Sequence, residues 1–464
     1  MTQQLAILNS HQINYVFFHL KNHVEFDANI NFIFLKEYKP LTDHDNVLVV
    51  FHLSDDKIDT NTKVQMLDTE IPVLFPSYKS NKLFELDNNG NLIFYHDWLK
   101  AAFYVLSGYQ ESQKFNADWI GRFPYEFSIQ KKCNVTTVPI VNYYFEIIIS
   151  GLEKFCKLHS LPFKRKRLFD NFGFFLSHDV DRIAFYHPKE VAFKIKQLMG
   201  LAPLYYSKTL TLKLFFKGIL FLLSPFKKPD PWWNFDCMIN LEQKLGIRST
   251  FYFLEKIHRN MDSRYSFKTP KIKRLIKYLN ENGFEVGLHG AIATAESKET
   301  LFSQYQSFIQ NTNIHPSGIR QHFLKLKYPD TIKSQMEAGL KYDTTLGFAE
   351  HEGFRNGYCY PFRPYDHQND QMLDIWELPL VLMEVSVLGY KNEPYQAIES
   401  ASLNLINEVK KFGGFYSMLW HNCRLDEYMY PGVTEFYEKL LNTIMAKNPE
   451  VVRGVDLLNK VKHE

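Results

Sequence analysis

The stretch that decides the fold is Phe172-Gly173-Phe174-Phe175-Leu176-Ser177-His178-Asp179-Val180-Asp181, an apolar run that ends abruptly in charged residues. Its apolar positions lack helical spacing, which predicts a buried strand of a mostly parallel sheet. The carboxyl ends of such strands are where α/β proteins usually place their chemistry. If the strand ends between Asp179 and Asp181, the two carboxylates can share one metal-centred site. The alternative is that both are turn residues that cap the strand.

Strand and helix signals alternate from this stretch to the C-terminus. The other predicted strands are apolar runs that end in polar residues, at 249–254, 284–288, 318–320 and 415–420. The predicted helices have one apolar face with a start or stop signal, at 235–245, 269–283, 330–339 and 397–412. This alternation predicts an α/β fold, either a β/α barrel or an open sheet.

The first part of the chain has a different pattern, with short β-rich runs at 15–20, 30–35, 47–53 and 72–75. Two further runs, 82–86 and 92–95, flank an Asn-Gly step that favours a hairpin turn. Helices are predicted after Asp97, an N-cap residue, and from Pro139. We interpret the basic run 164–167 as part of a linker. The sequence therefore predicts a smaller α+β domain over 1–165 and a second domain over 170–464.

Composition limits the class of protein. The chain has 464 residues with 16% aromatic and 23% charged side chains, which is typical of a globular protein with two or three domains. A net charge of +3 does not favour a nucleic-acid partner. Five scattered cysteines indicate a reducing compartment, and the first twenty residues lack a secretory signal pattern. We expect a cytoplasmic protein.

One segment of the second domain, residues 191–229, fits neither a strand nor an ordinary surface helix. It is rich in Leu and Phe, with lysines interspersed, and its longest apolar run is too short to span a bilayer. One interpretation is an amphipathic insertion that packs on its own domain. The other is a basic amphipathic surface that rests on the inner face of a membrane.

Chemistry-bearing residues recur at four predicted strand ends of the second domain. They are Asp179 and Asp181, His289, Arg320 with His322, and His421. Carboxylates and imidazoles delivered by successive strands of one sheet suit zinc or a similar divalent ion, with a coordination position left open for water and substrate. The pattern predicts a divalent-metal hydrolase.

These strand ends resemble the motifs of the polysaccharide deacetylases, the NodB-homology group of carbohydrate esterase family 4. The resemblance begins near Phe172 and rests on the Asp179-Val180-Asp181 pair, Gly287-Leu288-His289-Gly290, Gly318-Ile319-Arg320-Gln321-His322 and Leu419-Trp420-His421. It implies a distorted β/α barrel. The front half is similar to the accessory region that precedes the catalytic domain in an uncharacterised bacterial branch of this group.

The resemblance also implies residue roles. Asp181 and His289 would hold the metal, and Asp179 would take a proton from water as general base while paired with Arg320. His421 would protonate the departing amine. Asp343 is a weaker candidate, for orienting His421 or the sugar. The implied reaction removes acetyl groups from N-acetylated sugars of a bacterial surface glycan or its lipid-linked precursor.

One departure from the family pattern bears on activity. The second motif normally supplies another histidine four residues after His289, where this chain has Ala293. His322 is the most economical substitute ligand, because in an extended segment it projects from the same face as Arg320. The alternatives are a degenerate, non-catalytic glycan-binding protein of a polysaccharide-synthesis pathway, or a hydrolase of a different small C–N substrate.

Overall fold

The fold is described from a computed structural model, which describes residues 5–36, 47–77, 80–224, 230–258 and 261–462. Within these ranges, the first part contains the strands β1 Val24–Phe26, β2 Asn31–Leu35, β3 Leu48–His52, β4 Lys63–Met66, β5 Thr69–Pro72, β6 Glu85–Leu86 and β7 Leu92–Phe94. Its described α-helices are α1 Ser10–Leu20, α2 Trp98–Leu106, α3 Tyr109–Ser112, α4 Ile129–Lys132 and α5 Ile140–Leu158. The predicted α+β composition of this part is confirmed.

The sheet of this part has the strand order β2-β3-β7-β6, and the predicted hairpin joins β6 and β7. Asp97 caps α2 as predicted, since its side chain accepts a hydrogen bond from the Lys100 backbone N–H. The predicted strand at 15–20 is wrong, because these residues lie in α1, where Asn9 and Gln12 form a capping box. The strand predicted at 72–75 lies earlier, at β5.

The second part alternates strands with helices. Its strands are β8 Phe163–Arg165, β9 Gly173–Val180, β10 Thr250–Leu254, β11 Glu285–Gly290, β12 Gly318–Gln321, β13 Tyr342–Asp343, β14 Tyr365–Asp366, β15 Gln371–Met372, β16 Trp376–Glu377, β17 Leu382–Met383, β18 Phe415–Leu419 and β19 Glu450–Val451. Its helices are α6 Pro188–Leu198, α7 Lys208–Leu223, α8 Phe235–Lys244, α9 Pro270–Glu281, α10 Lys298–Thr312, α11 Asp330–Glu337, α12 Ala397–Phe412, α13 Val433–Met445 and α14 Gly454–Lys462.

A curled parallel sheet forms the centre of this part, and the predicted distorted β/α barrel is confirmed. The strand order is β16-β13-β12-β11-β10-β9-β18-β17, with β19 also paired to β9. All these pairings are parallel, so the carboxyl ends of the strands meet at one edge. Every residue of β9 is buried, as expected for a central strand that is covered on both faces.

The insertion after β9 forms a helical hairpin, α6–α7, defined here as residues 188–223. The two helices approach closely at Gly218, where a Cβ atom would lie 2.6 Å from Val191 Cγ2. Phe185, Tyr186, Val191 and Leu214 form a small buried cluster under the hairpin. The hairpin therefore packs on the barrel through this cluster. Residues 225–229, which belong to the predicted amphipathic segment, lie outside the described residues.

The two parts share one continuous hydrophobic core, which includes Trp98 and Phe145 as well as Phe175 and Met418. The basic run interpreted as part of a linker overlaps β8, which pairs antiparallel with β1. A buried ion pair between Glu111 and Arg355 joins the parts at 2.6 Å. Lys164 and Arg165 are exposed although they belong to a strand, and the domain limits stay a prediction.

Candidate metal centre

The barrel brings the predicted site residues together at the carboxyl edge of the sheet. β9 ends at Val180, between Asp179 and Asp181, as the metal-site interpretation requires. His289 in β11 pairs in register with Arg320 in β12. His322 follows directly after β12. His421 stands two residues past the end of β18, which pairs with β9 on its other side.

Three of these residues form a candidate ligand set. Asp181 Oδ1 lies 3.2 Å from His289 Nε2, and Asp181 Oδ2 lies 3.6 Å from His322 Nε2. One ligand atom of each residue falls within 4.8 Å of those of the other two. Two imidazole nitrogens and one carboxylate oxygen are a donor set that suits zinc and similar divalent ions.

Both histidines of the ligand set, His289 and His322, make a further contact through Nδ1. His289 Nδ1 lies 2.8 Å from the backbone carbonyl oxygen of Arg320, which accepts its N–H. His322 Nδ1 lies 3.3 Å from Asp262 Oδ1. Each contact places the proton on Nδ1 and leaves Nε2 directed at Asp181. Partners of this kind orient metal-ligating histidines and raise their basicity.

The buried polar atoms of the ligand set fit a metal ion. Asp181 Oδ1 and His289 Nε2 are both buried, and neither makes a hydrogen bond to the described residues. Burial opposes ionisation of Asp181, but His322 and His289 hold the pKa of its carboxyl well below the usual range. Burial also opposes protonation of His322, yet Asp181 and Asp262 raise its pKa to about 9. The residues form a negatively charged oxygen donor between two imidazoles, as a divalent cation requires.

Asp179 lies beside the ligand set and is paired as predicted. Arg320 Nη1 donates to Asp179 Oδ1 at 3.0 Å and to Ser177 Oγ at 2.9 Å, and Arg320 is fully buried. The guanidinium also stacks over the Tyr252 ring, 4.7 Å from its centroid. Asp179 Oδ2 lies 3.6 Å from His289 Nε2. Arg320 therefore fixes one oxygen of this buried carboxylate, while the second oxygen faces the ligand set.

His421 faces the aspartates from the other side. Its Nε2 lies 3.7 Å from Asp181 Oδ2 and 3.9 Å from Asp179 Oδ2. Its Nδ1 lies 2.7 Å from Glu384 Oε1, which also accepts from the His421 backbone N–H. Burial lowers the pKa of His421, but Glu384 and the aspartates together raise it to about 9. The protonated imidazole is therefore stabilised with Nε2 directed into the site.

The role suggested for Asp343 in orienting His421 is wrong. The Asp343 carboxylate accepts hydrogen bonds from Thr345 and Gln335, while Glu384 orients His421. The sequence analysis missed Glu384. Like Asp179, Glu384 is a carboxylate at the end of an apolar run, here Leu380-Val381-Leu382-Met383. Asp262 was also missed. It lies in a loop 60 positions from His322, where no local pattern marks it.

His178 lies away from the ligand set. His178 points to the opposite face of β9, where its ring contacts the Trp420 carbonyl oxygen and Glu242 at 2.7 and 2.8 Å. This agrees with side-chain alternation along a strand. Ala293 lies in a short 3₁₀ helix, Ile292–Ala295, that follows β11. The fully buried His178–Glu242 pair is a structural contact.

The first part of the chain reaches the site through residues 118–122. Arg122 Nη1 donates to the Phe323 backbone carbonyl oxygen at 2.7 Å, and the same guanidinium pairs with Asp118 at 2.8 Å. Phe323 and Leu324, which follow His322, have φ values of 62° and 53°. This left-handed backbone is strained for residues other than glycine. Arg122 therefore holds the strained turn that carries His322.

Comparison with known protein families gives a match in the first part of the chain. A family model described as a family of unknown function (DUF7033) matches residues 4–157. No curated protein matches the chain.

Among solved structures, the chain is similar to several deacetylases. A putative polysaccharide deacetylase from Mycobacterium smegmatis aligns at 14% identity and a TM-score of 0.41, over 63% of this chain and 90% of that one. The peptidoglycan deacetylase PdaC from Bacillus subtilis aligns at 10% identity and 0.32, over 63% and 93%. A family 4 pseudoenzyme from Bacillus anthracis aligns at 11% identity and 0.30, over 50% and 62%.

Proposed function

We propose that the protein is a metal-dependent hydrolase that removes acetyl groups from N-acetylated sugars of a bacterial surface glycan or its precursor. The observation that carries the proposal is the grouping around Asp181. A buried, Arg-paired carboxylate lies on one side of the ligand set and a Glu-paired histidine on the other, each within 4 Å of it. The motif resemblance supports the substrate class.

A divalent ion held by Asp181, His289 and His322 would polarise the acetyl carbonyl and acidify water at the site. Asp179 is the group placed to accept the proton of that water, since one of its oxygens is occupied by Arg320 and the other faces the ligand set. The Arg320 guanidinium balances the negative charge that Asp179 needs in order to act as a base. The same pair fixes its orientation.

His421 is the group placed to donate a proton. An amide nitrogen leaves readily only when protonated, because the free amide anion is a very poor leaving group. Glu384 stabilises the protonated imidazole, and its bond to Nδ1 leaves the Nε2 proton directed into the site. Asp179 would thus act as the general base and His421 as the general acid. Their different environments suit these two roles, as hydrolases commonly require.

The test is acetate release from a panel of N-acetylated and O-acetylated glycans, with chelator and with added zinc or another divalent ion. We expect metal-dependent release by the wild type. Asp179→Asn should keep the metal and lose about 10²–10⁴-fold in rate, whereas Asp181→Asn should lose both. If Asp179→Asn retains a substantial fraction of activity, the base assignment is refuted.

A comparison of amide and ester substrates distinguishes an acid role of His421 from a purely structural role. His421→Ala should slow release from amides far more than from matched esters, since an alkoxide departs with less help from an acid. Equal loss on both substrates would contradict the acid role.

A non-catalytic glycan-binding protein is the second candidate, and Ala293 in place of a ligand histidine is the observation that favours it. Glycan binding without acetate release, under all metal conditions, would establish this alternative.

A further inference from the structure

We infer that the α6–α7 hairpin is a docking surface for an anionic lipid bilayer, which its apolar residues enter at the level of the headgroups. This inference rests on the surface of the hairpin and does not require deacetylase activity. Among the helices of the described ranges, none has the length and hydrophobicity needed to cross a bilayer. The proposed contact is therefore interfacial.

Exposed apolar side chains are concentrated on this hairpin. Of the 19 large hydrophobic residues that are exposed in the described part of the chain, 11 lie between 195 and 223. They are Ile195, Met199, Leu201, Leu204, Tyr205, Leu212, Phe216, Ile219, Leu220, Leu222 and Leu223. Soluble proteins rarely expose large contiguous apolar patches, and such patches mark interaction sites.

The apolar residues of α7 form a stripe along its outer side. Leu212, Phe216, Ile219, Leu220 and Leu223 follow one another at helical spacing, and Leu220 and Leu223 are 68% and 76% exposed. The opposite side of α7 packs on the protein through Thr211, Leu214 and Gly218. The exposed stripe is therefore a second apolar face of a helix whose first face is already buried.

The charges around the stripe identify the occupant. Residues 191–229 contain seven lysines and no Asp or Glu. Lys208 and Lys213 flank the stripe on either side at helical spacing, and both are exposed. Lysines beside an apolar helix face can extend to phosphate groups while their stems cover apolar surface. A partner with an apolar interior and an anionic rim matches this pattern, and an anionic bilayer has both.

The hairpin is anchored to the edge of the barrel that carries the metal centre. Tyr206 donates to Asp426 at 2.8 Å, and Lys217 lies over the Tyr428 ring, so α7 contacts the loop that follows His421. Asn422, next to His421, donates to the Arg182 backbone carbonyl oxygen at 2.8 Å. A docked hairpin would hold this edge of the barrel near the bilayer, where a lipid-linked sugar would be presented.

The test is flotation of the full chain with vesicles of phosphatidylglycerol and phosphatidylcholine, compared with vesicles of phosphatidylcholine alone. We expect binding to the anionic vesicles that weakens at high salt, because polybasic attraction is screened. Leu212→Gln/Phe216→Gln/Leu220→Gln should abolish binding. Lys208→Glu/Lys213→Glu should lower it at least tenfold.

Matched variants keep the test specific. Lys244→Glu/Lys277→Glu changes two exposed lysines on α8 and α9 and should bind vesicles like the wild type. Acetate release from a soluble substrate should be unchanged by the hairpin variants, which separates failure of docking from failure of the proposed enzyme. The inference is overturned if the wild type does not float, or if the Gln variant floats equally. It is also overturned if the stripe instead mediates self-association that the Gln variant abolishes.

Discussion

Glu384→Gln should lower the pKa of His421 and move the alkaline limb of the rate profile to lower pH. The raised pKa of about 9 has three favourable contributors, Glu384 and the two aspartates, which act against burial. Glu384 is the largest of these and the closest, at 2.7 Å against 3.7 and 3.9 Å. We expect a decrease of about 1–2 pH units, equivalent to about 1.4–2.7 kcal/mol of lost preference for the imidazolium.

The sign follows from the role of His421 as an acid, which requires the protonated form. Activity falls as pH rises through the pKa, so a lower pKa brings the loss to lower pH. The assay is kcat for acetate release from an N-acetylated glycan between pH 6 and pH 10. Glu242→Gln is the matched control, because it alters a buried Glu–His pair of similar length outside the site. An unchanged alkaline limb in Glu384→Gln would refute the reasoning.

The remaining predictions concern the metal and the joint between the two parts of the chain. His322→Ala should weaken zinc binding by at least tenfold in a calorimetric titration, and Ala293→His is the positive control. Wild-type affinity in His322→Ala would remove His322 from the ligand set. Because the pKa of His322 is raised to about 9, zinc binding near pH 7 should release about one proton, seen by calorimetry in buffers of different ionisation enthalpy. Asp262→Asn should lower zinc affinity by about 10–100-fold without changing the fold, and an unchanged affinity would show that the contact at Nδ1 is dispensable. Glu111→Ala should lower the free energy of unfolding by about 3–5 kcal/mol in denaturant titration, since it leaves Arg355 buried and unpaired; a loss below about 1 kcal/mol would contradict this.

Residues at the ends of long, buried strands could be predicted from the sequence. Asp179, Asp181, His289 and His421 each follow an apolar run whose period and length identify a strand, and parallel pairing brings such ends together. Glu384 follows a run of the same kind, but its strand has only two residues. A run this short does not distinguish a strand from a helix by periodicity alone.

The contacts that could not be predicted depend on tertiary structure. Asp262 reaches His322 from a loop, so neither spacing nor propensity marks it. The error at α1 has another cause. Its Val-Phe-Phe run favours a strand, but the Asn9 cap and the buried face of Ile13, Val16 and Leu20 stabilise a helix instead. Local propensity was outweighed by capping and burial.

The hydrogen bond from Arg122 to the Phe323 carbonyl oxygen makes the metal site of the barrel depend on the first part of the chain. Left-handed backbone costs on the order of 1–2 kcal/mol per residue, and two such residues follow His322 in succession. Without Arg122, this turn would lose a bond that opposes its relaxation, and His322 would lose part of its fixed position. The Arg122→Ala variant should therefore keep the same sheet yet hold metal less tightly than the wild-type protein. The first part of the chain would then position a metal ligand of the barrel, in addition to any separate task of its own.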